Sequence, residues 1–486
     1  MEIPSHIAEI TYTLAKRGFA SYLVGGCVRD LLMRKAPKDW DITTDATPEQ
    51  IAESFPKTFY ENTFGTVTVV NETAEDESLR HVEITPFRQE TKYSDKRHPD
   101  QVIFTKDLQS DLARRDFTIN AIAYDPAKKE IIDPYDGQKD IKDKIVRAVG
   151  KPEERLAEDP LRIMRGVRLA VELGFTINIE TMVAMVKNSS DLKFIAQERI
   201  RDEFCRILNT KDLMPGIIIL QKIGALKQFL PELEEGIGIK QNGDHIYEVW
   251  EHTLRVAQHA ADRDWPLHVR LSALFHDIGK PRTRKWSDEK KDWTFYGHDV
   301  VGAKMTRKLM ERMRFTRNIT ETVEKLVRNH MFFSDIDKIT LSAVRRIIRN
   351  VGRENVWDLM KVRNCDRIGM GRPKESPYRL RKYESMIEEA LRDPTSVKML
   401  KIKGENVLRE TSLAPGPKIG YILHALLEEV LDNPELNTEE TLTARAKELA
   451  KLPDAELQKI GEEGKEKKEN IEKEEVEKIR DKYYVK

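Results

Sequence analysis

Cysteine is scarce: Cys27, Cys205 and Cys365 are the only three in 486 residues. Three thiols scattered so widely offer neither a disulfide framework nor zinc-ligand spacing. They suit a reducing compartment, so a cytoplasmic location is expected. Long apolar runs are lacking too. None approaches the roughly 20 residues needed to cross a bilayer, and Met1-Glu2-Ile3-Pro4 has no basic-then-apolar secretory pattern, so no membrane association is expected. Net charge is also absent, because 83 Lys and Arg balance 83 Asp and Glu. The overall field therefore does not draw the chain to nucleic acid, but distribution counts for more than the sum. Between Lys304 and Lys382 basic residues outnumber acidic ones, a local excess that a phosphate backbone would meet. What is present, 39% hydrophobic and 34% charged residues, describes a charge-rich globular chain with room for roughly two to four domains.

Residues 20–150 alternate short β-rich runs with turns: Ser21-Tyr22-Leu23-Val24, Thr66-Val67-Thr68-Val69-Val70, His81-Val82-Glu83-Ile84 and Gln101-Val102-Ile103-Phe104. Helical stretches at 5–17 and 48–54 sit among them, which predicts an α+β head with a small mixed sheet over 1–150. Beyond Pro152 strand signals nearly vanish and amphipathic helical patterns take over, as at 204–208, 252–261, 300–313 and 319–327. Punctuation near 235–245 and at Gly369-Met370-Gly371-Arg372-Pro373 divides this part into an all-helical neck (151–235), a helical body (236–370) and a helical tail (371–486). The Lys/Glu run from Glu462 to Lys482 has almost no apolar stripe and reads as a solvated, fraying helix.

The strongest local pattern is Leu23-Val24-Gly25-Gly26-Cys27-Val28-Arg29-Asp30, followed by Asp39-Trp40-Asp41. A strand ending in Gly-Gly lets backbone amides approach a polyphosphate, with the next helix start and Arg29 behind them. Aspartates at i and i+2 on a strand share one side, where they would repel each other unless a divalent cation lay between them. Such ions lower the pKa of an attacking hydroxyl and neutralise a leaving pyrophosphate. A Gly-Gly turn alone only turns, and Asp-X-Asp alone is only an exposed pair; together within a few residues they point to nucleotidyl transfer.

These residues, with Asp41-Ile42-Thr43-Thr44, resemble the first motif of class II tRNA nucleotidyltransferases, the CCA-adding enzymes, and of their poly(A) polymerase relatives. Further motifs follow in order. Arg114-Arg115-Asp116-Phe117-Thr118-Ile119-Asn120-Ala121 is similar to the second. Asp136-Gly137, Asp140, Ile145, Arg147 and Val149-Gly150 are similar to the third, Glu158-Asp159-Pro160-Leu161-Arg162 to the fourth, and Glu198-Arg199-Ile200 to the fifth. The resemblance implies addition of C and A to the 3′ end of tRNA from CTP and ATP, with Mg2+ held by Asp39 and Asp41. It implies nucleotide contacts from Gly25, Gly26, Arg29, Arg115, Asp159, Arg162, Arg165 and Arg168, supported by Asp116, Asn120 and Glu158. A helix beginning near Glu158 would put Ile163, Met164, Val167 and Val171 on one arc and Arg162, Arg165 and Arg168 on the other. In the family, the matching Asp159 and Arg162 present a base-like edge that favours C and A, whose exocyclic amine an Asp can accept. The polar stretch 88–99 corresponds to the family's flexible switching segment, which CC-only relatives tend to lack. A poly(A) polymerase or A-adding enzyme remains the near alternative, and a phosphohydrolase with a nucleotide-binding head the distant one.

A second set lies at His252, His276-Asp277, His298, His330 and Asp366. His252-Thr253-Leu254 and Phe275-His276-Asp277-Ile278-Gly279-Lys280 resemble an HD phosphohydrolase domain. That resemblance implies a second divalent ion (Mg2+, Mn2+, Ni2+ or Co2+) on His252, His276, Asp277 and Asp366, with Asp358 as the alternative last member. Imidazoles and carboxylates suit such ions, which can activate water against a phosphoester.

Overall fold

The computed structural model describes residues 2–60, 65–90, 102–242, 245–332, 339–392 and 397–485. The chain forms two compact units, one of residues 1–330 with 361–373, the other of 331–360 with 374–486.

The first unit opens with the helix Ser5–Lys16 and a seven-stranded sheet. Its strands are β1 (Ser21–Val24), β2 (Trp40–Thr44), β3 (Thr58–Tyr60), β4 (Val67–Val70) and β5 (His81–Pro86). After β6 (Arg88–Glu90) and β7 (Val102–Phe104), which among the described residues pair with each other as a separate two-stranded sheet, come β8 (Ala123–Asp125) and β9 (Glu130–Ile132). The sheet order is β3-β4-β5-β2-β1-β8-β9. Within this sheet β2 and β5 pair in parallel and the other described neighbours antiparallel, so the sheet is mixed, as expected. Alternating Val, Ile and Leu bury one face: Leu23, Ile42, Val67, Val82 and Ile84 join Ile7, Ile10 and Leu14 of the first helix in the head core. Most of the polar stretch 88–99 lies outside the described residues.

From residue 152 onward the first unit is mostly helical, with the short strand Thr176–Ile177 pairing in parallel with Ile145–Val146. The helix Leu161–Leu173 buries Ile163, Met164, Val167 and Val171, the arc predicted for it. It starts at Leu161 and not near Glu158, because Pro160 interrupts the chain and Asp159 is extended. Arg162, on the other arc, is 8% exposed. Gly166 sits where a Cβ would fall 2.4 Å from Met185 Cε and 2.8 Å from the Phe117 ring, so the neck and head pack tightly there. The same core continues through Phe204, Leu254, Leu274 and Leu309 to Cys365. Strand structure returns briefly in Lys285–Ser287 and Asp292–Thr294, a hairpin whose Trp286 and Trp293 rings meet edge to face at 5.4 Å. Helical periodicity offered no sign of it.

The second unit gathers Leu400, Ile422, Leu426 and Leu442 into its own core. The charged tail corrects the expectation of a solvated helix. It belongs to the 29-residue helix Asp454–Lys482, which packs along the helix Pro417–Asp432. The contact runs through glycine: a Cβ on Gly461 would lie 2.6 Å from Tyr421 Cα, and one on Gly464 2.6 Å from the His424 carbonyl oxygen. Lys467 adds ion pairs to Glu428 and Asp432, at 3.4 and 2.7 Å. No apolar stripe is needed when two backbones approach this closely.

Candidate functional site

In the head, β1 ends at Gly25, whose φ of 76° is a left-handed conformation that glycine adopts without strain. A Cβ there would lie 3.2 Å from both Asp41 Oδ2 and an Arg115 guanidinium nitrogen, and one on Gly26 would lie 3.9 Å from Asp39 Oδ1. The Gly-Gly turn therefore clears the ground directly above the two aspartates. Asp41 lies on β2, whereas exposed Asp39 occupies the bend just before it, so only one of the pair is a strand residue. The parallel register places Glu83 of β5 opposite Asp41. Pattern reading missed this third carboxylate, because nothing in the sequence tells which strand lies beside β2. Burial pushes the Asp41 carboxyl up to about 6; Arg115 and Arg165 act against that, and Asp39 and Glu83 add to it. A carboxylate whose proton affinity its acidic neighbours raise fits a divalent cation, which would relieve the repulsion.

The arginines surround this point. Asp111 is fully buried and bonds Arg114 at 2.9 Å and Arg115 at 3.3 Å. Arg115 Nε is buried without a hydrogen-bond partner among the described residues. Arg165 donates to Asp116 at 2.8 Å, and Asp116 also caps the Phe117 amide at 2.8 Å. Burial alone would raise the Asp116 carboxyl, but Arg165 beside it holds it well below the usual range. Arg29 ties Asp30 to Asn120, at 2.7 and 2.9 Å. The third motif acts one layer further out. Asp140 accepts from Thr118 at 2.7 Å and from Arg147 at 3.0 Å, and Gly137 lets the backbone reach Thr118.

On the neck, Asp159 accepts from Arg199 at 2.9 Å and from the Leu161 amide at 3.0 Å. Arg162 donates to Glu158 at 2.5 Å and to the Arg155 and Arg114 carbonyls at 2.8 and 3.2 Å. Arg168 is held by Glu203 and Glu172, both at 2.7 Å. Arg199 was expected only as part of a motif. It emerges as the group that orients Asp159, with its Nη1 buried and without a partner among the described residues.

In the body, His252, His276, Asp277, His298, His330 and Asp366 are all buried, between 0 and 7% exposed. They form two trios whose ligand atoms lie within 4.8 Å of one another: His252, His276 and Asp366, then Asp277, His298 and His330. His252 Nε2 is 3.1 Å from His276 Nε2 and 3.3 Å from Asp366 Oδ1. Glycines make the convergence possible. A Cβ on Gly279 would lie 2.3 Å from the His298 carbonyl oxygen, and one on Gly369 2.2 Å from Val256. Lys280 donates to Asp277 at 2.6 Å, and His245 stacks edge-on against His252 at 4.9 Å; neither was singled out from sequence. Asp358 is not among the residues of either trio.

A family model described as "Poly A polymerase head domain" matches residues 21–147, one for the "RNA and SrmB- binding site of polymerase A" matches 174–237, and one described as "HD domain" matches 244–371. A CCA-adding enzyme of Lactococcus lactis is 31% identical over 457 residues, spanning 92% of this chain and 99% of the relative. The chain belongs to the tRNA nucleotidyltransferase family. A CC-adding tRNA nucleotidyltransferase of Thermus thermophilus is 32% identical over 84% of this nucleotidyltransferase and 89% of the relative, and an A-adding one of Deinococcus radiodurans is 34% identical over 68% and 76%. The crystal structure of the Bacillus stearothermophilus CCA-adding enzyme in complex with CTP superposes with a TM-score of 0.59 at 26% identity, covering 92% of this chain and 98% of that one. Head and HD domain both imply use of divalent metal by this nucleotidyltransferase. Among the described residues no helix is long and apolar enough to cross a membrane.

Proposed function

We propose that this nucleotidyltransferase adds C and A to the 3′ end of tRNA in the cytoplasm, taking CTP and ATP and releasing pyrophosphate. The observation that carries the reading is the meeting of Asp39, Asp41 and Glu83 with Arg115 and Arg165 under the Gly25-Gly26 turn. Asp39 and Asp41 would hold Mg2+ there, which would supply charge neutralisation for the attacking 3′-hydroxyl and the departing pyrophosphate. Arg115 and Arg165 face the triphosphate, with Asp111 and Asp116 fixing their forks. Asp159 and Arg162 read the base. Arg199 orients the first and Glu158 the second, so each arrives with its rotamer already set. The body would hold a divalent ion (Mg2+, Mn2+, Ni2+ or Co2+) on His252, His276, Asp277 and Asp366, which would supply Lewis acidity for hydrolysis of small phosphoesters such as 2′,3′-cyclic ones.

Transcripts lacking CCA, lacking CA and lacking only the final A, each incubated with CTP and ATP and sequenced, test the reading. Restoration of all three to CCA is expected. Restoration of the last alone would make the enzyme A-adding, and long A tails a poly(A) polymerase.

A further inference from the structure

Strand register lines up one row of side chains across the head sheet. Val24, Asp41, Glu83, Thr68 and Phe59 stand side by side on β1, β2, β5, β4 and β3. Residues in register share a face, so Phe59 lies on the same face as the two carboxylates, opposite the face that buries Leu23, Ile42 and Ile84 in the core. At about 4.8 Å per strand, its backbone is roughly 10 Å from that of Glu83 and roughly 14 Å from that of Asp41. Phe59 is 43% exposed and Thr68 beside it 2%, so the ring stands clear of a short neighbour. Exposed His81, two residues before Glu83 and on its face, sets its own ring edge-on to Phe59 at 6.2 Å.

The other end of the row fixes the direction of the reaction. The Gly25-Gly26 turn, with an Arg115 guanidinium nitrogen beside it, closes the β1 side of Asp41 and is where the triphosphate is held. Displacement at phosphorus puts the attacking and leaving oxygens roughly in line. With pyrophosphate leaving on the β1 side, the attacking 3′-hydroxyl arrives from the side of β5, β4 and β3. The nucleotide that carries this hydroxyl therefore lies along the row, its base toward Phe59.

From this we infer that the Phe59 ring is the stacking platform for the 3′-terminal base of the RNA, with His81 bracing its edge. The inference rests on the proposed nucleotidyl transfer and concerns the acceptor end, whereas Asp159 and Arg162 concern the incoming base. An aromatic ring accepts the π-face of any base. Ends that terminate in C and in A are therefore held alike, which an enzyme that extends its own successive products needs. A hydrogen-bonding side chain at this place would instead favour one end over the other. β3 is the last strand in the sheet order, so the ring also lies at the open margin by which a polynucleotide can enter.

The test compares full-length parent, Phe59→Ala and Phe59→Trp on tRNA transcripts lacking CCA, with CTP, and lacking only the final A, with ATP. Phe59→Ala should raise the KM for either RNA by about 10- to 100-fold, the loss of one stacked base. The KM for CTP and ATP should stay within about twofold, and circular dichroism should not change, since the side chain is outside the core. Phe59→Trp should restore the KM for RNA. A transcript ending in 2-aminopurine should lose fluorescence on binding the parent and keep it with Phe59→Ala. An unchanged KM for RNA in Phe59→Ala, or a rise in the KM for nucleotide in its place, overturns the platform while extension by the parent keeps the transfer reading intact. Fluorescence that persists on the parent overturns it as well, whether or not a variant folds. A parent that extends neither transcript removes the transfer reading and the platform together.

Discussion

Asp39 is exposed and Asp41 only half-buried, whereas every candidate ligand in the body is buried. The head offers carboxylates alone, backed by arginines; the body offers four imidazoles around two carboxylates. Hard oxygen donors at an accessible edge suit an ion that arrives with a triphosphate and leaves with pyrophosphate. Buried imidazoles, oriented by backbone carbonyls, suit an ion that stays. Donor type and burial thus fit the two places to different kinds of ion.

The comparison breaks first at Asp41. Asp41→Ala should lower nucleotide incorporation by about a thousandfold or more, since several kcal/mol of charge stabilisation go with the ion, while circular dichroism stays unchanged. Incorporation near the parental rate would dispose of the carboxylate site. Next, Asp159→Ala should relax discrimination against UTP and GTP by about 10- to 100-fold, the worth of one or two hydrogen bonds. Arg199→Ala should do so more weakly, because it only frees Asp159 to turn. If both variants slow while keeping full selectivity, the base-reading role fails. A smaller effect concerns acid stability. The Asp116 carboxyl sits below its unfolded value, so its pairing with Arg165 stabilises the fold above about pH 4 and is lost as pH falls further. Asp116→Asn should cost about 1 kcal/mol at neutral pH, discounted because Arg165 is partly exposed. The gap in thermal midpoint between variant and parent should close on acidification, and a gap that widens contradicts the pairing. Smallest of all should be the effect of body substitutions on the head's reaction. His276→Ala with Asp277→Ala should abolish Mn2+ binding and phosphoesterase activity in the body yet change C and A addition to tRNA by less than about threefold. Joint loss of both activities in a folded, tRNA-binding variant would mean the two centres are not independent.

Much of the head was legible because its chemistry is local. Gly25-Gly26 and Asp39-X-Asp41 stand within a few residues of one another, so spacing alone brings them together. Glu83 was not legible, since its relation to Asp41 is a matter of strand order. Motif order marked Asp159 and Arg162 but not what holds them: the ion pairs to Arg199 and Glu158 depend on a helix start that Pro160 delays. In the body, His298 and His330 stood out by residue type, but their grouping with Asp277, apart from His252 and His276, appears only in three dimensions. The tail misled because a charged run without an apolar stripe resembles a free helix, and two glycines are a faint signal of packing.

Gly461 and Gly464 work as notches on a ruler. Their helix spans roughly 44 Å at 1.5 Å per residue, and most of its surface is Lys and Glu, which would slide along a neighbour almost indifferently. Only one alignment brings both bare backbone positions against Tyr421 and His424 together; a one-turn slip would push lysine side chains, or those of Leu457, Gln458 and Ile460, into that contact. Alignment of this tail is therefore fixed by where side chains are missing. A single methyl added at either notch would force the helix outward along its length, whereas swapping charges elsewhere on it would leave the alignment untouched.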